Sequence, residues 1–302
     1  MPATTRIAVL ADIHHGPDLP TKRGSAALRL LERFSAFVAE TAPDLVLELG
    51  DRISDEAPDV DRRRMAEVAD ALRALPAPVV SVCGNHDLVH LPAEENGALL
   101  GQPMRHRMVE LKGLLVVLWQ AEARLRPERG FALAEGDLAW LEATLAAADR
   151  PVLLASHLPL SGQAQTGNHY FENQPALAGY AEQPAIRRVL DRCPVPILAV
   201  AGHVHWNSVT LVDGIAHLTV QSLTETFTTS PEPAAAMALL ELGQQARLQV
   251  LGNDPFACTL PFAGPRRRWL APLVPEPARA PAAAADGVAE ASRPPASLRL
   301  SS

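Results

Sequence analysis

The chain has 302 residues, 48% of them hydrophobic, enough for a sizeable core in one large domain or two small ones. Its 27 basic and 34 acidic residues leave a net charge of −7. That balance argues against a general nucleic-acid binder, which needs a basic face. The scattered Cys83, Cys193 and Cys258 supply neither a disulfide framework nor a cysteine-built zinc site and read as reduced thiols.

The chain opens MPATTRIAVLADIHH, where an apolar run of about five residues meets Asp12, too short for the apolar core of a signal peptide. No later stretch approaches the ~20 apolar residues that span a bilayer. The expectation is a soluble cytoplasmic protein without a membrane partner. Residues 6–12 (RIAVLAD) predict a buried strand, 25–41 a helix with apolar residues at helical spacing, and 43–51 (PDLVLELGD) a second strand. Residues 59–75 predict a charged amphipathic helix, and 78–87 (PVVSVCGNHD) a third strand. This order argues for parallel strands joined by crossover helices.

The pattern continues with a strand at 113–119, a helix at 135–149 and a strand at 151–160. A polar loop over 161–180 follows, and long loops inside compact domains are often functional. Then come a helix at 183–193 and a strand at 196–206 that ends in AGHVHW. Residues 208–220 predict a hairpin turning at Asp213-Gly214, and 236–252 two further strands. From 265 to 302 Pro, Ala, Arg and Ser dominate, which reads as a disordered tail after a domain of residues 1–264. Arg266 to Trp269 reads as a solvated charge run.

One regularity points to chemistry. The strands end, at their carboxyl ends, in Asp12 and His14, in Asp51, in Asn85 and His86, in His157, and in His203 and His205. Open α/β sheets form their sites outside those ends. On an extended strand His203 and His205 point to the same side. Each feature alone has a bland reading: a strand-end turn, a turn dipeptide, a hydrogen-bonded core histidine. Together, without His86, they make seven oxygen and nitrogen donors and no thiolate. Such a set suits Mn, Fe, Co, Ni or Zn. Seven donors exceed one four-coordinate ion and suit two, with a shared carboxylate and ions about 3.5–4 Å apart.

The series Asp12-Ile13-His14, Gly50-Asp51, Gly84-Asn85-His86-Asp87, His157 and Gly202-His203-Val204-His205 resembles the calcineurin-like metallophosphoesterases. The resemblance implies an α/β fold, an αββα sandwich of two mixed β-sheets flanked by helices. It implies a first metal held by Asp12, His14 and His205, a second held by Asn85, His157 and His203, and Asp51 bridging them. The cofactors implied are two divalent or trivalent ions (Mn, Fe, Zn or Co), with a metal-bound hydroxide attacking phosphorus in line. His86 would stand by the phosphate and protonate the leaving oxygen, with Asp87 orienting it.

GDRISD (50–55) lacks the tyrosine of purple acid phosphatases and the Asp-Arg-Gly of protein serine/threonine phosphatases. The short motifs look most like bacterial class III cyclic-nucleotide phosphodiesterases and glycerophosphodiesterases. A small phosphodiester is therefore the expected substrate, with a phosphomonoesterase (a nucleotidase or sugar-phosphate phosphatase) and a non-catalytic binding scaffold as alternatives. Nucleic acid is not an expected partner, and a homo-oligomer is open. Candidate substrate contacts are His15, Arg52, His169 and Asn207, with Tyr170, Asn173 and His217 beside them. For each of these, loop packing or solvent exposure is the competing reading, and for Arg52 a pairing with a carboxylate such as Asp55.

Overall fold

The computed structural model describes residues 4–264 together with 269, 270, 272 and 273. The tail expected over 265–302, with its arginine run, otherwise lies outside the described residues. The chain divides into two units, Met1–Arg268 and Trp269–Ser302, and every helix and strand described belongs to the first.

In chain order the elements are β1 (Thr5–Leu10), the two-residue strands β2 (Asp18–Leu19) and β3 (Lys22–Arg23), α1 (Ala27–Thr41), β4 (Leu45–Glu48), α2 (Pro58–Arg73) and β5 (Val79–Ser81). Next come α3 (Ala93–Leu100), β6 (Arg107–Leu111), β7 (Leu114–Leu118), α4 (Asp137–Ala146), β8 (Val152–Ala155), α5 (Gln183–Arg192) and β9 (Ile197–Ala201). The chain then forms β10 (Ser208–Val212), β11 (Ile215–Thr219), β12 (Met237–Leu242), β13 (Gln245–Leu251) and β14 (Phe256–Pro261).

Two six-stranded sheets result, ordered β14-β13-β12-β1-β4-β5 and β10-β11-β9-β8-β7-β6. Both are mixed. The β1–β4, β4–β5, β7–β8, β8–β9 and β9–β11 pairs are parallel, and the remaining pairs of the two sheets are antiparallel. Apart from Arg6 and Val79, the parallel strands are buried, because alternate residues enter different cores. Ile7 and Val9 of β1 share the inter-sheet core with Val116, Leu118, Leu198 and Val200 of the other sheet. Ala8 and Leu10 point the other way and join Leu30 and Phe34 of α1.

The helix α1 forms because Leu30, Leu31, Phe34, Phe37 and Val38 fall on one stripe at helical spacing, and that stripe is buried. It stops at Ala42, which takes a left-handed conformation (φ 44°) ahead of Pro43. On β13 the burial alternates residue by residue, as expected of an antiparallel strand with one wet face. The hairpin turn falls where the sequence places it, with Asp213 and Gly214 both at positive φ between Val212 and Ile215.

Five elements escape the sequence reading: the two-residue strands β2 and β3, the helix α3, which carries Gly97 in its middle, and the short, half-exposed edge strands β6 and β14. The strands next to the site are also shorter than expected. β1 stops at Leu10, β4 at Glu48 and β5 at Ser81, because the residues that follow leave the sheet to build the site.

Candidate dinuclear metal centre

The loops after β1, β4, β5, β8 and β9 bring Asp12, His14, Asp51, Asn85, His157, His203 and His205 to one edge of the sandwich. Their backbone is unusual. Among the described residues nine non-glycine residues have positive φ, and five of them are Asp12 (50°), His14 (47°), Asp51 (55°), His203 (67°) and His205 (56°). Left-handed backbone costs an L-residue roughly 1–2 kcal/mol, and such strain collects at functional sites. It also corrects the strand-alternation argument for His203 and His205. The strand β9 ends at Ala201, and a turn aims the two rings. Two motif glycines have a steric cause. A Cβ on Gly84 would lie 2.1 Å from Asp51 Oδ1, and one on Gly202 would lie 2.5 Å from Asp12 Oδ2.

The donor atoms form two groups that share Asp51. One is Asp12, His14, Asp51 and His205, the other Asp51, His157 and His203, and within each the atoms lie within 4.8 Å of one another. Asn85 joins the second, its Oδ1 being 3.1 Å from His157 Nε2 and 3.0 Å from His203 Nδ1. Asp51 Oδ2 is 3.7 Å from His14 Nε2 and 3.4 Å from His157 Nε2.

The opposite nitrogens of the rings fix the tautomers. His157 Nδ1 donates to Leu49 O at 2.8 Å, and His203 Nε2 to Leu177 O at 2.9 Å. His205 Nδ1 donates to Glu225 Oε2 at 2.8 Å, and His14 Nδ1 lies 3.3 Å from Ser54 Oγ. His203, which donates through Nε2, then turns the lone pair of Nδ1 toward another acceptor, Asn85 Oδ1, at 3.0 Å. His14 Nε2 and His205 Nε2 face each other at 3.0 Å. Cations between these atoms resolve the conflict, so the donor set fits a pair of metal ions. Replacing Glu225 by Gln should weaken metal binding about 10–100-fold. Competition with a chelating indicator measures this, and an unchanged affinity would show that Glu225 does not set the His205 ring.

Electrostatics agree with this division. Burial pulls His14 well below the usual imidazole range, His203 down to about 3 and His205 down to about 4, so all three keep lone pairs at neutral pH. Burial also opposes charge on His157, but Asp51 outweighs it and holds the ring up at about 9. Burial pushes the Asp12 carboxyl well up. Burial acts the same way on Asp51, yet His157 and His86 hold it well below the usual carboxylate range. Cation binding therefore displaces protons from this centre.

His86 stands beside the donors without joining them. Its ring lies 4.9 Å from the His14 ring, and its backbone N–H donates to Asp51 Oδ1 at 2.8 Å. The carboxylate on its Nδ1 is Asp55, which corrects the expectation for Asp87. Asp87 instead accepts from the backbone N–H groups of Asp51, Arg52 and Gly84 at 3.0, 2.8 and 2.9 Å. Arg52 is corrected too. It is 0% exposed, with ion pairs to Glu48 (2.6 Å) and Asp87 (2.8 Å), and so clamps two site loops together rather than reaching a phosphate.

The remaining candidates divide. His15 pairs with Glu67 at 2.7 Å. Asn207 bonds Gln221 and the Asp254 carbonyl, and His217 is buried on β11. His169 is exposed, with its ring 6.1 Å from that of Phe227, and Asn173 is exposed. The 161–180 loop does lie against the histidines. Asn168 Nδ2 donates to Val204 O at 2.8 Å, and the Tyr170 ring is 5.3 Å from His205. Glu225, Ser54 and Asp55 were not assigned to the site from sequence. Asp55 follows Asp51 by four residues, a usable signal, whereas Glu225 lies in QSLTETF with none.

No curated protein sequence matches the chain significantly. Among solved structures, a dimetal phosphatase from Danio rerio shares the fold, with a TM-score of 0.68 at 18% identity, over 86% of this chain and 99% of that one. Purple acid phosphatase PPD1 from yellow lupin seeds gives 0.57 at 11% identity, over 87% of this chain and 55% of that one. GAP50, the anchor in the inner membrane complex of Plasmodium, gives 0.57 at 12%, over 87% and 90%. The calcineurin-like phosphoesterase profile matches residues 5–207, a span that contains all seven metal-facing donors and His86. The chain belongs to the calcineurin-like phosphoesterase family.

Proposed function

We propose that residues 1–264 form a dinuclear metal-dependent hydrolase that cleaves a small phosphodiester. The observation that carries the reading is two groups of buried imidazole and carboxylate donors that share Asp51. Asp12, His14 and His205 would hold one ion, Asn85, His157 and His203 the other, and Asp51 would serve both. A metal pair supplies Lewis acidity and a nucleophile at neutral pH. His86 delivers a proton to the leaving oxygen, with Asp55 holding its Nδ1 side. Mn, Fe, Zn and Co all suit the donors.

The absence of the tyrosine and Asp-Arg-Gly signatures supports the diester. A phosphomonoesterase is the second reading, favoured by a buried lysine, Lys22, whose charge reaches the same centre. Complete ligation argues against a scaffold. Among the described residues no helix is long and apolar enough to cross a membrane, and we place the enzyme in the cytoplasm on its three free cysteines. The test compares bis-p-nitrophenyl phosphate with p-nitrophenyl phosphate, with Mn²⁺ and with EDTA. Faster diester cleavage, lost in EDTA, is expected. Faster monoester cleavage selects the second reading, and no cleavage with Mn, Fe, Zn or Co overturns both.

A further inference from the structure

Lys22 is a lysine only 6% exposed. It lies on β3, which runs against residues 224–226. Arg23 N–H donates to Thr224 O at 2.9 Å, Thr226 N–H donates to Thr21 O at 2.6 Å, and Lys22 stands opposite Glu225 in an antiparallel bridge. Its Nζ is 5.5 Å from the centre of the Tyr170 ring, the ring that also approaches His205. Among the described residues Nζ has no hydrogen bond or ion pair of its own.

A largely buried lysine whose ammonium has a ring face but no anion of its own is unfavourable. Glu225 is already engaged. Its Oε2 accepts from His205 and Tyr170, and its Oε1 from the N–H groups of Thr226 and Phe227. Asp51, Glu225, Asp12 and Asp55 are the acidic groups near enough to act on the ammonium. The Tyr170 ring that the ammonium faces lies in turn against His205, so the ammonium stands beside the donor groups as well as beside Glu225. Cations on those ligands would add positive charge beside Lys22, and an anion between them would satisfy both.

We propose that Lys22 is a substrate-binding residue whose ammonium donates to a non-bridging oxygen of the phosphoryl group. It favours doubly charged phosphate, in a monoester or as inorganic phosphate, over a singly charged diester. Cleavage of a diester itself leaves a monoester, so the same contact would hold the product in a diesterase. The inference rests on the phosphoester-hydrolase reading. The competing role is a structural counter-charge for Glu225.

The experiment measures inhibition of the Mn²⁺-loaded full chain by inorganic phosphate, alongside metal content and melting temperature, for the wild type, Lys22→Met and Lys22→Gln. The glutamine variant, which keeps a polar head, guards against a methionine variant that does not fold. The inhibition constant should rise about tenfold or more in the metal-replete variants, with monoester turnover losing more than diester turnover. An inhibition constant within about twofold of the wild type in both variants would overturn the proposal and leave the counter-charge role. A wild type that neither hydrolyses esters nor binds phosphate would remove the underlying reading instead, and this inference with it.

Discussion

Asp51→Asn is expected to empty the centre and remove activity, the largest effect of any single substitution here. Asp51 belongs to both donor groups, and its Oδ2 stands between His14 and His157. Asparagine keeps the shape and the oxygen but loses the charge. The neutral side chain would leave Asp12 as the one carboxylate of the two donor groups to offset two cations. Metals contribute several kcal/mol to such reactions, and about 4 kcal/mol is a factor on the order of 10³ in rate. Elemental analysis of the purified variant and a progress curve with added Mn²⁺ check both parts. Retained stoichiometry with full activity would mean that the centre is not bridged.

The second large effect separates chemistry from metal binding. His86→Ala should leave the metal content unchanged and lower kcat by about 10²–10⁴-fold, the usual range for a general acid. The loss should shrink for esters with a good leaving group, since p-nitrophenolate needs little protonation. Asp55→Asn tests the corrected orientation. It should reproduce part of the His86→Ala loss, because the carboxylate on Nδ1 both aims the ring and is itself held low, chiefly by that hydrogen bond. The readout is kcat at unchanged metal content, with the Asp55→Asn loss smaller than that of His86→Ala. Equal losses of metal in these variants would mean that His86 is a ligand.

The donor residues were legible because each sits at the end of an apolar run, where the strand-end rule makes a short motif meaningful. Asp51 and Asn85 illustrate this: the runs before them are buried strands, and the turn residues after them are donors. Partners contributed by a distant segment were not legible. Glu225 lies 20 residues beyond His205, in an irregular segment held in place by β3, at the other end of the domain in sequence. Asp87 misled for a related reason. Adjacency to His86 suggested a pair, but the 3₁₀ turn of His86–Leu88 carries its carboxylate toward Arg52 and three backbone N–H groups. Half-buried edge strands such as β14 escaped because their alternation is short and follows the turn-rich Asn253-Asp254-Pro255.

The left-handed ligands have a thermodynamic consequence. Five such residues, at roughly 1–2 kcal/mol each, amount to a sum comparable with the whole stability of an ordinary domain. That energy is stored in the folded chain before any ion arrives. Ions that bind only the folded form offset it by mass action, as RT ln(1 + [L]/Kd). The protein's resistance to heat is therefore written partly in the metal concentration of its surroundings, and scarcity of metal would shorten its lifetime as well as slow its catalysis.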